Sequence, residues 1–137
     1  MRVYIASPFF TPEQYQNVED IKSMLDKLNI EYYSPKDDSL VPKDADDATR
    51  QKIFQQNLDE IDKCDFMIAN LRDKDIGTYI EIGVAYARSK KVIAFIHDTK
   101  KINLMLSQLM YSVAYGVTEL ESALSRETKQ IWEGEVE

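Results

Sequence analysis

The sequence predicts an α/β domain of three layers, with a flavodoxin-like, parallel, five-stranded sheet and helices on both faces. Three observations carry that expectation. β runs alternate with segments of helical periodicity, β-α-β-α-β-α-β, along most of the chain. The central runs DFMIANL (65–71) and KVIAFI (91–96) are apolar without alternation, as strands covered on both faces are. The length, 137 residues, fits one core, so residues 1–137 are expected to form one domain.

The elements follow in order. RVYIA (2–6) reads as the first strand, and SPFFTPEQ, with Pro8 and Pro12, as the loop after it. Val18, Ile21, Leu25 and Leu28 form one helical stripe. IEYYS (30–34) is a second strand, ended by Pro35, and residues 36–47 read as an acidic loop. QKIFQQNLDEIDK reads as a helix with Ile53, Phe54, Leu58 and Ile61 inward. After the third strand, RDKDIG is a loop, residues 78–89 a helix and 91–96 the fourth strand. HDTKK is a loop and INLMLSQLMY is helical. SVAYGV supplies a fifth strand, TELESALSRE a short helix and KQIWEGEVE a tail.

Composition narrows the function. Hydrophobic residues make up 44% and charged residues 30%, a globular balance. The net charge is −7 and the lysines are scattered, so no nucleic-acid polymer is expected as partner. No apolar run reaches the length of a membrane span, and RVYIASPFF reads as a strand rather than a leader. The one cysteine, Cys64, forms no internal disulfide and suits a reducing cytoplasm. With one His and one Cys, no familiar zinc site is built. Neither common phosphate-cradling glycine motif occurs.

In open parallel sheets, ligands bind beyond the carboxyl ends of the strands. That rule gathers Ser7, Phe9, Phe10, Asp37, Asp38, Asn70, Asp73, Asp75, Gly77, His97, Asp98 and Asn103 on one rim, with Glu81 beside it. Glu81 stands between Ile80 and Ile82 in a strongly apolar helix, where an unpaired carboxylate is costly. Thr78-Tyr79-Ile80-Glu81 fits a capping box, which would explain the acid without chemistry. Asp75 has a plain reading as a turn residue. Together, two carboxylates suit glycosyl transfer, one attacking the anomeric carbon and one handling the leaving group's proton. Tyr4 reads from its pattern as a core tyrosine with a satisfied hydroxyl. Phe9 and Phe10 read as a lid over the core or as a stacking wall. His97 is expected in solvent, and Cys64 as inert packing.

YIASPFF, DIGTYIEIGVAYARSKKVIAF, KINLM and the tail WEGEV together resemble the nucleoside 2-deoxyribosyltransferases, in particular the broad-specificity, lactobacillus-type members. The resemblance implies a flavodoxin-like fold, transfer of 2-deoxyribose between nucleobases, and no cofactor or metal. It implies deoxynucleosides and free nucleobases as partners. Glu81 would be the nucleophile, kept ionised by the helix N-terminus. Tyr4 would position it, and Asp75 would bind the base and mediate its proton transfer. Phe10, Ser7, Asn57 and Gly77 would contribute to substrate binding. Asn103, Met105 and Glu137 would reach a neighbouring subunit's site, since the family builds its sites across dimer interfaces, commonly within hexamers. Family members usually carry aspartate where Asn57 stands, and Ser39 is the nearest match to a base-binding glutamine. A related hydrolase of deoxynucleoside 5′-monophosphates and a non-catalytic nucleotide-binding module are the alternatives on the same fold.

Overall fold

The computed structural model describes residues 1–137. In chain order the elements are β1 (Arg2–Ala6), α1 (Pro12–Lys27), β2 (Glu31–Tyr33), α2 (Pro35–Asp38), α3 (Asp47–Lys63), β3 (Phe66–Asn70) and α4 (Ile76–Ala87). There follow β4 (Lys91–Ile96), β5 (Lys101–Ile102), α5 (Leu104–Leu109), β6 (Ser112–Tyr115), α6 (Leu120–Leu124) and β7 (Glu135–Val136). The main sheet has the order β2-β1-β3-β4-β6 with every neighbour parallel, the expected flavodoxin-like arrangement.

Strand side chains alternate between the two faces, and each face builds its own core. Tyr4, Met67, Ala69, Val92, Ala94 and Ile96 pack under α3, α4 and α5 against Ile61, Ile82 and Met110. Val3, Ile5, Ile68, Ile93 and Phe95 pack on the other face against Val18, Ile21 and Leu25 of α1 and Leu120 and Leu124 of α6. Register puts Tyr4 between Tyr33 and Met67, so β1 presents its tyrosine at the centre of the face that α4 covers.

Helix starts are fixed by side chains. Thr11 and Gln14 form a capping box on α1, and Pro12 occupies its first turn. Asp46 caps α3 by accepting from the Thr49 amide. α3 therefore begins earlier than its apolar pattern indicates, and Pro35–Asp38 winds one helical turn inside the expected acidic loop. Of the four α3 residues expected inward, only Ile61 is buried; Phe54 is exposed. The 3.6-residue pattern marks a stripe, but the sheet beneath α3 is narrow, because β2 has only three residues. α4 likewise starts at Ile76 rather than Thr78, because Asp75 is its cap.

The tail is ordered structure. β7 pairs with β5 in a separate parallel two-stranded sheet. The Glu137 amide donates to the Ile102 carbonyl at 2.9 Å, and the Glu137 carbonyl accepts from the Leu104 amide at 3.0 Å. Trp132 packs against the main core, and its indole donates to the Glu135 carbonyl at 3.0 Å. A methyl at Gly134 would lie 2.7 Å from the Lys100 carbonyl and against the Trp132 ring. Gly134→Ala is therefore expected to release the tail. The emission of the single tryptophan should move to the red, while the main thermal transition shifts by only a few degrees. Unchanged emission would show that the close approach is not what holds the tail.

Candidate active site

The site begins with where α4 starts. The Asp75 carboxylate accepts from both the amide and the hydroxyl of Thr78 at 2.9 Å, satisfying an otherwise free N–H of the first turn. Thr78 is buried beneath it. This corrects the capping-box expectation, because Thr78 is the third helical residue and Glu81 the sixth. The glutamate bonds no amide of the first turn. In the second turn it faces inward and accepts the hydroxyl proton of Tyr4, whose side chain is completely buried.

Burial decides the electrostatics. It pushes the Glu81 carboxyl up to about 7, against the opposing effect of the Tyr4 hydrogen bond and with help from the Asp75 charge. The expected electrostatic hold of the helix N-terminus does not prevail, because its partial charge fades within the first turn. Tyr4 is itself shifted upward, first by burial and then by the Glu81 charge. Its proton therefore stays on oxygen, and Tyr4 acts toward Glu81 only as a donor.

Tyr4 links the carboxylate to a polar wall on α3. The Tyr4 and Tyr33 rings lie 5.6 Å apart. The Tyr33 hydroxyl donates to Asn57 Oδ1 at 3.1 Å, and Ser39 Oγ donates to the same oxygen at 2.8 Å. Gln56 Nε2 donates to Tyr33 Oη at 3.0 Å and approaches the Asp38 carbonyl at 3.4 Å. Neither Tyr33 nor Gln56 was marked by sequence pattern. The signal for Tyr33 lay in strand register, since it is the direct parallel neighbour of Tyr4.

The opposite rim is a second network. Asn70, completely buried at the end of β3, donates to Ser7 Oγ and to Asn17 Oδ1, each at 3.1 Å. Ser7 in turn donates to the Pro8 carbonyl at 2.7 Å, shaping the loop that carries Phe9 and Phe10. Those rings pack on each other with centroids 5.0 Å apart, and Phe10 is 75% exposed. Phe10 is thus no core lid. Gln14 bonds the Phe10 amide at 2.8 Å and donates to Asp73 at 2.8 Å, tying this loop to the one before α4. Asp73 and Lys74 both have left-handed backbones, at φ 65° and 52°. Strain of this kind persists only where neighbours hold it. Gln14 supplies one such hold, and the 2.9 Å bond from Lys74 to Glu137 supplies another.

Asn103, Met105 and Glu137 gather on the other flank of α4, apart from Glu81. They line a cleft of about 780 Å³ with Tyr79, Ile82 and Arg72. Glu81, Tyr4 and Asp75 do not line it. Glu81 is set apart from that cleft by its bond from the completely buried Tyr4 hydroxyl. Asn103 uses its Oδ1 to accept from the Met105 amide at 2.8 Å, and Met105 is 71% exposed. His97 also borders the cleft. It is half-buried against Phe95 rather than free in solvent, and burial lowers its pKa. Cys64 is buried and its thiol is pushed up to about 11, which suits inert packing. Gly77 opens α4 beside Asp75, where an added methyl would meet the Asp75 carboxylate at 3.4 Å. No helix is long and apolar enough to cross a membrane.

The family model described as nucleoside 2-deoxyribosyltransferase matches residues 3–123, and the chain belongs to that family. No curated protein sequence gave a significant match. Among solved structures, the chain is similar to a 2-deoxyribosyltransferase from Bacillus psychrosaccharolyticus, with 28% identity and a TM-score of 0.79 over 88% of this chain and 90% of that one. Two others share the fold at 20% identity. A conserved protein from Enterococcus faecalis V583 has a TM-score of 0.76 over 90% of this chain and 96% of its own. The CMP N-glycosidase BcmB from Clostridium botulinum has a TM-score of 0.64 over 92% and 100%.

The raised pKa of Glu81 makes stability depend on pH. Between the ordinary value of 4.5 and about 7, the folded chain holds a proton that the unfolded chain has released. Stability from this group is complete below pH 4.5 and is lost as pH rises through 7. The loss is about 3 kcal/mol at most. Glu81→Gln keeps an acceptor for Tyr4 and removes the charge. Its stability gain over the parent, measured by urea unfolding, should be near zero at pH 4 and largest above pH 7. A gain that does not vary with pH would contradict the burial of an ionisable carboxylate.

Proposed function

We propose that this member of the family moves 2-deoxyribose from one nucleobase to another by double displacement through a covalent deoxyribosyl-glutamate at Glu81. The observation that carries the reading is the buried Tyr4 hydroxyl bonded to the Glu81 carboxylate, six residues on from Asp75. A tyrosine that only donates orients one carboxylate oxygen and leaves the other to react.

In the first half, a Glu81 oxygen bonds to C1′ as the C1′–N bond breaks, and the electron pair of that bond leaves with the base. The proton the base takes up passes by way of Asp75, whose Oδ1 is free of the cap. In the second half, a ring nitrogen of the incoming base attacks C1′, the ester bond returns its electrons to Glu81, and the nitrogen's proton leaves by the same carboxylate. Two inversions give net retention. Phe10 offers an exposed ring face against the nucleoside, and Ser7 and Gly77 leave room on the rim. The chemistry needs no cofactor, and its partners are deoxynucleosides and free bases.

Asn103, Met105 and Glu137 line a cleft that Glu81 does not, which supports a role in a neighbour's site. The exposed side chains of Phe10, Ile76, Ile80 and Met105 are the kind of apolar surface that a subunit interface covers. The likeness of the tail to lactobacillus-type members supports acceptance of both purines and pyrimidines. The active form is then a homo-oligomer built on dimers.

Thymidine incubated with adenine and separated by chromatography tests the reaction. New deoxyadenosine is the expected product. Free thymine alone would mean hydrolysis, and no change would mean a binding protein. Glu81→Gln should lower the rate on the order of a thousandfold or more, because the covalent route closes. Mass spectrometry of the quenched wild type should find a deoxyribosyl adduct on the peptide containing Glu81.

pH should separate this nucleophile from an ordinary carboxylate. Only ionised Glu81 attacks, and its pKa is raised to about 7 by burial. kcat/KM should therefore fall about tenfold per pH unit below 7. An acid limb near 4.5 would show that Glu81 does not set the rate.

A further inference from the structure

We propose that Asn57 makes this site select bases carrying an oxo group, 6-oxopurines and 4-oxopyrimidines, over their amino counterparts. The inference rests on the transfer reading above and concerns which bases that same site accepts.

The argument starts from a carbonyl that can only accept. The Asp38 carbonyl faces Gln56 at 3.4 Å, so the end of Gln56 that meets it is the NH2. The same NH2 donates to Tyr33 Oη at 3.0 Å. Tyr33 spends its own proton on Asn57 Oδ1 at 3.1 Å, and Ser39 donates to that oxygen at the shorter 2.8 Å. Two hydroxyl donors thus occupy the two lone pairs of Asn57 Oδ1. Nδ2 makes no hydrogen bond within the chain, and it is not among the polar atoms sealed away from solvent without a partner. The asparagine is held by its oxygen and offers two N–H donors outward.

Position follows from the transfer chemistry. The base leaves from the carbon that Glu81 attacks, so it lies one bond from the reacting centre. Tyr4 touches Glu81, the Tyr33 ring lies 5.6 Å from that of Tyr4, and Tyr33 touches Asn57. α3 also packs directly on α4. Of the two α3 amides that touch Tyr33, Gln56 spends its NH2 on Tyr33 and Asp38, which leaves Asn57 as the one with free donors.

A free asparagine reads adenine with both ends, accepting from the exocyclic amine and donating to a ring nitrogen. Asn57 lacks the accepting half. Its donors fit the adjacent O6 and N7 acceptors of hypoxanthine or guanine, or O4 of thymine or uracil. An exocyclic amine at the same place sets donor against donor and leaves both without partners, a mismatch of roughly tenfold to a hundredfold in selection.

The test is a competition. Thymidine is the deoxyribosyl donor, with equimolar hypoxanthine and adenine as acceptors, and the initial ratio of deoxyinosine to deoxyadenosine is read by chromatography. This ratio does not depend on how much of the protein is active. Wild type should favour deoxyinosine by about tenfold or more. Asn57→Asp keeps an oxygen for Tyr33 and Ser39 and turns an acceptor outward, so the ratio should move at least tenfold toward deoxyadenosine. If adduct forms on Glu81 but only water accepts the sugar, the same ratio is read from the cleavage of deoxyinosine against deoxyadenosine. A wild-type ratio near one, or a ratio that Asn57→Asp leaves unchanged, overturns the role of Asn57, while a new deoxynucleoside formed from thymidine still upholds transfer. No adduct and no turnover of any deoxynucleoside overturns both.

Discussion

The site depends on a carboxylate placed where water is scarce. Glu81 is carried inward by the second turn of α4 and meets one strong donor, the hydroxyl of Tyr4. Neither group is accounted for alone. A buried carboxylate without a donor costs several kcal/mol, and a tyrosine hydroxyl inside a sheet face needs an acceptor. Register supplies the match. β1 lies between β2 and β3, so Tyr4 comes up in the middle of the face that α4 covers. Moving Tyr4 by one residue would turn it to the α1 face and leave Glu81 without a partner.

α4 works with three of its sides. Thr78 is buried beneath the Asp75 cap, and the part-buried Glu81 turns to Tyr4. Tyr79 and Ile82 face α5 across the cleft that Asn103 and Met105 border. Ile76 and Ile80 point outward and remain exposed. A helix apolar on nearly every side is ordinarily enclosed on nearly every side. One chain encloses only the first two.

Much of this was legible in the sequence, and the failures have physical causes. The strands were readable because burial on both faces strips them of polar residues, as in FMIAN and VIAFI. Glu81 stood out because acids are rare in such surroundings, and Asp75 only through its pairing with Glu81. The cap assignment failed because Thr and Asp both cap helices, and local sequence does not say which carboxylate the first amides choose. Phe54 misled because helical periodicity marks a face without saying whether anything covers it. Tyr33 and Gln56 were invisible, since their roles depend on which strands become neighbours and on side-chain contacts across 23 residues. The tail was read as irregular because two-residue strands carry no periodicity, and only the partner β5 makes β7 a strand.

The raised pKa of Glu81 bears on why Tyr4 is there at all. Burial alone would favour the protonated acid, which does not attack carbon. The Tyr4 bond pulls the other way and brings the balance back to about 7. A cation in place of the tyrosine would lower the pKa further and tie the carboxylate into an ion pair. A neutral donor leaves it able to ionise near neutrality without an opposite charge bound to it. The same neutrality holds along the wall beyond it, where Tyr33, Ser39, Gln56 and Asn57 carry no charge. Glu81 thus faces neutral dipoles, and Asp75 is the charge close enough to add to its own. The apolar helix, the buried tyrosine and the uncharged wall are in this sense one arrangement, which isolates the charge of Glu81 from any cation.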